Sequence, residues 1–289
     1  MKKIFLKIVS IFISCVAFVT LIGCNADNSD SSNHVHKYNR TVADLKYLKE
    51  DPTYMTSAVY YKSCACGAKG EETFVYGTPL KVYSEKEKVP YKPTSLTVSL
   101  YDAENSIYGF TYNTQSKPLR PVIQIKEGYS LAGAKTECNA SVMEATCYNE
   151  EGSLQTYYIV KAEIPLEANK LYTYRAYDKY VNVGTDPAPL RTKDVKSTKF
   201  TFAHVSDSQT EVSDISGKGS GSYFADTLSM LSNNSDFIVH TGDFVEWARY
   251  EGYWKAMLDD NFSYLSKIPV MTISGNHETT YQGGTNETF

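Results

Sequence analysis

The chain has 289 residues, 42% of them hydrophobic and 21% charged, a balance that excludes a wholly disordered protein. A net charge of −4 offers no electrostatic footprint for nucleic acid, which would need a basic patch or stripe. Tyrosine is the outlier, with 24 copies against two tryptophans; it favours strands and partly wet surfaces, and so predicts an all-β portion within a length that allows two domains.

Residues 1–24 read as a targeting segment, set apart from fold reasoning. Lys2, Lys3 and Lys7 flank an apolar stretch from Ile8 to Ile22. Leu21-Ile22-Gly23-Cys24 resembles the bacterial lipobox, in which the cysteine is lipidated and becomes the new N-terminus. A plain cleaved signal or a membrane-spanning anchor is the alternative. The polar residues 25–33 suit a flexible tether. A diacyl anchor buries two chains, enough for stable attachment, so the expected location is extracytoplasmic, lipid-anchored to the bacterial cell membrane. Cleavage before Cys24 removes three lysines and no acids, so attachment would not depend on anionic headgroups.

Residues 34–78 form a small module. His34-Val-His36 opens it, and Cys64-Ala-Cys66-Gly67 closes a stretch whose four nitrogen and sulfur donors could make a tetrahedral structural zinc site. One residue between cysteines is tighter than the usual two to four, and a Cys-x-Cys disulfide would close a small strained ring. Exposed histidines and free thiols are the other reading. The pattern resembles short His/Cys modules of Gram-positive surface proteins, which tend to have a further cysteine where Tyr54 stands here.

Residues 91–199 read as a β-sandwich. Leu96, Val98 and Leu100 alternate within Thr94–Leu100, the mark of a half-buried strand. Similar runs follow at Ile107–Tyr112, Pro121–Ile125, Tyr157–Ile164 and Leu171–Tyr177, with turn-rich breaks between them. Such spacing suits an immunoglobulin or fibronectin type of sandwich, whose bland role is a spacer. Leu166-Glu-Ala-Asn-Lys-Leu-Tyr172-Thr-Tyr174-Arg175 resembles the end of the fibronectin-like domain that precedes purple acid phosphatase catalytic domains, and Tyr172 could serve as a corner tyrosine. Cys138 and Cys147 flank a strand or turn and could form a disulfide, which an extracytoplasmic setting permits.

Residues 200–289 change rhythm. Phe200–Ser206 is a predicted strand, Gly217–Ser222 a loop, Ser222–Leu231 a helix and Phe237–Thr241 a second strand. A helix over Tyr253–Leu265 and a strand over Ile268–Ser274 complete β-α-β-α-β, the pattern of a parallel sheet with crossover helices. Each strand ends in a polar cluster: Asp207-Ser208-Gln209, Gly242-Asp243, then Gly275-Asn276-His277-Glu278. Ligands bind at the carboxyl ends of strands in open α/β sheets, and oxygen and nitrogen donors gathered there can hold two divalent cations. Singly, Asp207 and Asp243 could be helix N-caps and His277 a surface histidine. Three clusters in this order and spacing favour the metal reading. His204 and His240 lie inside strands and read as packing or supporting residues.

This series is similar to that of the calcineurin-like metallophosphoesterase superfamily, in its purple-acid-phosphatase-like branch with a preceding fibronectin-like domain. Phe237-Ile-Val-His240-Thr-Gly-Asp243-Phe-Val-Glu246 and Ile268-Pro-Val-Met-Thr-Ile-Ser-Gly-Asn-His-Glu278 both look like family strands. The implied fold is multidomain: an all-β fibronectin-like sandwich, then the first half, β-α-β-α-β, of an α/β metallophosphoesterase sandwich. The resemblance implies that Asp207 binds a first metal and that Gln209, standing where many relatives have histidine, binds that metal through its amide oxygen or only through water. It implies that Asp243 bridges both metals, that Asn276 binds the second, and that His277 is the catalytic residue contacting phosphate; Glu278 reads as structural. The implied cofactors are two divalent or trivalent ions (Fe, Mn or Zn) and the substrate a small phosphate mono- or diester.

Relatives supply further histidines, including a Gly-His-x-His-like cluster, from a second half. Here no histidine follows His277, and the residues after Glu278 include the loop-like Gly283-Gly284-Thr285-Asn286. The expectation is a truncated record with little activity of its own and strands past residue 200 left uncovered. A non-catalytic surface binding protein with a relic phosphoesterase part is the alternative function.

Overall fold

The computed structural model describes residues 34–149, 151–194, 196–197, 199–211 and 221–279, which fall into two compact units. The lipobox with Cys24, the tether 25–33, loop residues 217–220 and the stretch 283–286 lie outside the described residues. Among the described residues no helix is long and apolar enough to cross a membrane.

The first unit takes in the described residues up to Asp51 together with Ala58–Gly77. Its strands β1 (Leu48–Glu50), β2 (Ala58–Ser63) and β3 (Lys69–Tyr76) form an antiparallel sheet in that order. The turn between β2 and β3 is the Cys64-Ala65-Cys66-Gly67 segment. The Cys64 N–H donates to the Ala68 carbonyl and the Gly67 N–H to the Cys64 carbonyl, both at 2.9 Å. Gly67 has φ of 87°, a conformation that costs glycine little. Arg40 and Ser63 exchange two backbone hydrogen bonds, which tie the N-terminal segment to this hairpin. Few described residues here are buried: Tyr47, Ala58, Ser63, Cys64 and Gly70.

The second unit takes Pro52–Ser57 and the chain from Thr78 on. It opens with α1 (Glu85–Lys88), where Ser84 and Glu87 form a reciprocal capping box. Nine strands follow: β4 (Thr94–Asp102), β5 (Ile107–Thr114), β6 (Pro121–Glu127), β7 (Thr136–Asn139), β8 (Ser141–Tyr148), β9 (Leu154–Pro165), β10 (Leu171–Asp178), β11 (Val183–Gly184) and β12 (Ala188–Arg191). They build two antiparallel sheets, β4-β5-β9-β8 and β11-β10-β6-β7, with β12 also paired to β10. Period-two alternation fills the space between them. Leu96, Val98, Phe110, Tyr112, Val160 and Ile164 from one sheet meet Ile123, Ile125, Tyr174, Ala176 and Leu190 from the other. Tyr172 accepts a hydrogen bond from the Glu167 N–H at 3.2 Å, the corner contact expected of it.

The disulfide that Cys138 and Cys147 could form is not made; both are free thiols. Cys138 sits opposite Ile123 in one sheet and Cys147 opposite Gln155 in the other. The chain changes sheets at Ala140, and the seven residues of extended strand from Ser141 to Cys147 carry the second sulfur roughly 20 Å along. A disulfide needs Cα atoms within about 7 Å.

The remaining elements are β13 (Phe202–Val205), α2 (Gly221–Leu231), β14 (Phe237–His240), α3 (Glu251–Leu258), α4 (Phe262–Leu265), β15 (Val270–Thr272) and α5 (Asn276–Thr279). The three strands are parallel neighbours in the order β13-β14-β15. Ala203, Leu228, Ile238, Leu265, Ile268 and Val270 form the core beneath them. The single helix expected over Tyr253–Leu265 is two. Asn261 turns its amide back to donate to the Met257 carbonyl at 2.8 Å, taking over a main-chain acceptor, as asparagine does at helix breaks.

The sandwich supports this segment rather than spacing it away. The Tyr148 N–H donates to the Arg249 carbonyl at 2.8 Å, and the fully buried Tyr174 hydroxyl donates to the Ser266 carbonyl at 2.7 Å. The Asp259 carboxylate accepts from the Ser95 N–H. Burial pushes the Asp259 carboxyl above its ordinary range, while the Ser95 contact opposes that rise.

Candidate metal centres

Val205, His240 and Thr272 are aligned in register, so the segments after β13, β14 and β15 leave one edge of the sheet together. Main-chain hydrogen bonds lace the first two. The Asp207 N–H donates to the Gly242 carbonyl at 3.1 Å, the Gln209 N–H to the Asp243 carbonyl at 2.9 Å and the Thr210 N–H to the Phe244 carbonyl at 2.9 Å. Asp207, Gln209 and Asp243 have φ of 54°, 34° and 54°. Left-handed backbone at a residue with a side chain costs about 1–3 kcal/mol and persists only where the surroundings enforce it, as at functional sites. Three of the four predicted ligands carry this strain.

Glu278 supplies much of the enforcement. It is fully buried, and its carboxylate accepts from the Asp243 and Gly275 N–H groups at 2.8 and 2.9 Å and from the Phe244 N–H at 2.9 Å. One side chain thus holds the turn after β14 against the turn after β15, the structural part expected of it. Two glycines allow that closeness. A Cβ on Gly275 would overlap the Asp243 carboxylate and backbone nitrogen, and one on Gly242 would overlap the Gly275 backbone. The Gly-Asp and Gly-Asn-His-Glu clusters are therefore two halves of one backbone-to-backbone contact.

His277 lies against this contact. Its N–H donates to Asp243 Oδ1 at 2.9 Å, its ring Nδ1 sits 2.8 Å from the Glu246 carbonyl, and its Nε2 sits 3.0 Å from the Gln209 amide nitrogen. The Glu246 carbonyl can only accept, so Nδ1 carries the proton, and neutral Nε2 accepts from Gln209. The hydrogen bond to the Glu246 carbonyl, together with the Glu246 and Asp243 carboxylates, raises the His277 pKa, against some desolvation. The Gln209 nitrogen being committed, its oxygen is the atom left to ligate. Asp207 and Asn276 stay exposed at the rim, while Asp243 is buried.

Three partners escaped the sequence reading. Glu246 orients His277 through its carbonyl, and Ser208 and Phe244 hold His240. The buried His240 ring stacks on Phe244 with centroids 3.6 Å apart. Its Nδ1 accepts from the Gly242 N–H at 3.3 Å, so Nε2–H donates to Ser208 Oγ at 2.9 Å, which donates onward to the Phe244 carbonyl. Burial pushes the His240 pKa down to about 4, so it is a neutral prop beneath the rim. His204 instead contacts Thr241 at the surface. No local pattern marks the Glu246–His277 and Ser208–His240 contacts, because each joins residues from different strand ends, whereas Phe244 lies only four residues past His240.

In the first unit the structure brings His34, His36, Cys64 and Cys66 together, with one donor atom of each within 4.8 Å of the others. Among the described residues this is the one such group of histidine, cysteine or carboxylate donors. The Cys64 thiol is held down at about 5, first by the Cys66 backbone N–H and then by the His34 and His36 rings.

Oxygen-rich side chains at the aligned ends of parallel strands, with a histidine set among them, make a donor set of the kind that can hold hard or borderline cations. Residues 200–288 match the family model described as calcineurin-like phosphoesterase. Among solved structures, a purple acid phosphatase isolated from yellow lupin (Lupinus luteus) seeds is similar in fold. Its TM-score is 0.54 at 15% identity, and the match covers 66% of this chain and 36% of that one. This chain therefore spans little more than a third of that protein's length, and at this identity the likeness shows the fold alone. No curated protein sequence matches the chain. The family match concerns this part of the chain alone, less than a third of its length; calcineurin-like phosphoesterases are hydrolases, a family that implies divalent metal ions and phosphate-ester substrates.

Proposed function

We propose that the chain is a metal-dependent phosphoesterase hydrolysing phosphate mono- or diesters, with Asp207, Gln209, Asp243 and Asn276 holding two cations (Fe, Mn or Zn) and His277 meeting the phosphate. The observation that carries this reading is the set of strained left-handed residues Asp207, Gln209 and Asp243 at aligned strand ends, laced by main-chain hydrogen bonds from Asp207 to Gly242 and from Gln209 to Asp243. The donors fit hard or borderline cations, being carboxylate and amide oxygens. Cations bound there supply Lewis acidity toward a phosphoryl oxygen and acidify water.

The chain's own residues do the positioning. The His277 N–H fixes Asp243 Oδ1, and Glu278 fixes the turns on both sides. His277 keeps its Nδ1 proton on the Glu246 carbonyl. Its Nε2, which faces Gln209, is the nitrogen through which His277 would pass a proton to a leaving oxygen. A phosphate ester reaching Nε2 takes the place of the Gln209 amide. Neutral amides at two of the four ligand positions make this a weaker cation site than one with more carboxylates or imidazoles. The proposal also takes the preceding sandwich as fibronectin-like, supported by the Tyr172 corner contact, and the chain as lipid-anchored at the cell surface through Cys24, supported by the lipobox spacing.

The test pairs manganese titration of the whole chain with turnover of p-nitrophenyl phosphate and bis-p-nitrophenyl phosphate. Manganese binding that is lost in Asp243→Asn is expected, with at most slow metal-dependent turnover from this chain, lost in the same variant. Binding that Asp243→Asn leaves unchanged would remove the site from consideration. Asp243-dependent binding without turnover of either ester would move the reading to the non-catalytic surface protein.

A further inference from the structure

We propose that His34, His36, Cys64 and Cys66 form a closed, four-coordinate zinc site that holds the first unit folded. His34 Nε2 stands 3.3 Å from Cys64 Sγ, and His36 Nδ1 stands 3.3 Å from Cys66 Sγ. With Zn–N near 2.0–2.1 Å and Zn–S near 2.3 Å, a nitrogen and a sulfur on one tetrahedral zinc lie about 3.5 Å apart. Both pairs already have that spacing, and the widest gap in the group, up to 4.8 Å, needs to close by only about 1 Å.

The donor chemistry selects the ion. Two sulfurs and two imidazoles form a borderline-soft set that suits zinc and not magnesium, calcium or manganese. All four positions come from the protein, which leaves none open for a substrate or a reactive water, so the role is structural. This separates the site from the strand-end rim of the second unit, which offers oxygens and no sulfur.

The fold gives a second, independent reason. The buried described residues of this unit are Tyr47, Ala58, Ser63, Cys64 and Gly70, far short of a working hydrophobic core. A unit of this size ordinarily needs a disulfide, a metal or a partner to stay folded. Its two described thiols are unpaired, and a bond between cysteines one residue apart would be strained. The main chain prepares the site instead. The paired bonds between Arg40 and Ser63 bring the histidine segment to the hairpin, and Gly67 turns the chain so that Cys64 and Cys66 face it.

The experiment uses the whole chain, metal-free and zinc-loaded, with iodoacetamide labelling resolved by peptide mass. Cys66 is exposed, so as a free thiol it would be labelled quickly whatever the zinc concentration. The expected result is labelling of Cys64 and Cys66 slowed about tenfold or more by zinc, restored by chelator, and unchanged in Asp243→Asn. Cobalt in place of zinc should give a thiolate-to-metal charge-transfer band that the oxygen-only rim cannot produce. Cys64→Ser with Cys66→Ser should abolish it. Zinc-independent labelling of Cys66, or cobalt binding without the thiolate band, would overturn the proposal. Both readouts come from the unaltered protein, so a misfolded variant cannot decide the outcome, and neither depends on phosphoesterase turnover.

Discussion

The two candidate metal centres are built by opposite means. In the first unit four side chains converge, and the main chain around them is ordinary apart from the tight turn at Gly67. At the rim of the second unit the backbone does the gathering. Strained residues, a pair of glycines in contact and one buried carboxylate set the positions, and the side chains follow. The first arrangement has little to hold it without its ion. The second is assembled before any ion arrives, because hydrogen bonds and a packed sheet enforce it. A centre of the first kind should be fragile to metal removal and tolerant of small backbone changes, and one of the second kind the reverse.

The sharpest way to break this contrast is Gly275→Ala. The new Cβ would overlap the Asp243 backbone and carboxylate, which no side-chain rotation relieves, so a loss of about 3–5 kcal/mol is expected in urea unfolding of the second unit. A cost near zero would mean that the rim is looser than its geometry implies. Next comes Glu278→Gln. An amide N–H would then face the N–H groups of Asp243, Gly275 or Phe244, and a buried acceptor is lost, at about 2–4 kcal/mol by the same measurement. Manganese affinity should fall with it, since the Asp243 turn loses its anchor. The smallest effect belongs to the first unit. Gly67→Ala makes only ordinary contact, the nearest atom being the Tyr47 hydroxyl at 3.8 Å, so only the left-handed backbone is penalised. Amide exchange of zinc-loaded chain should show a local loss of about 1–2 kcal/mol around residues 58–77. A loss as large as that of Gly275→Ala would erase the distinction between the two centres.

Much of this was legible in the sequence because the governing patterns are short. The alternation of Leu96, Val98 and Leu100 reports a strand face directly, and the order of strand, helix and strand past residue 200 implies parallel neighbours. The polar clusters at Asp207, Asp243 and Asn276 fall at strand ends because chain direction alone puts them there. The corner contact of Tyr172 was visible for the same reason, since its partner Glu167 lies five residues away. Elements with weak periodicity were missed. The largely exposed β7 shows no alternation, and the break between α3 and α4 depends on a single asparagine side chain.

By itself, then, the sequence determined which residues carry donor atoms, which faces of the strands are apolar, and that glycines precede Asp243 and Asn276. Tertiary structure alone decided how those parts meet. It showed that Gly242 and Gly275 exist for each other, that Glu278 is shared by two turns, and that His240 stays neutral under the rim. It also showed that His34 and His36 reach Cys64 and Cys66 while Cys138 and Cys147 stay apart. The physical reason is range. Periodicity and turn chemistry act over a few neighbouring residues, whereas these contacts join positions some thirty residues apart, and an extended strand between Cys138 and Cys147 separates two sulfurs that spacing left free to pair.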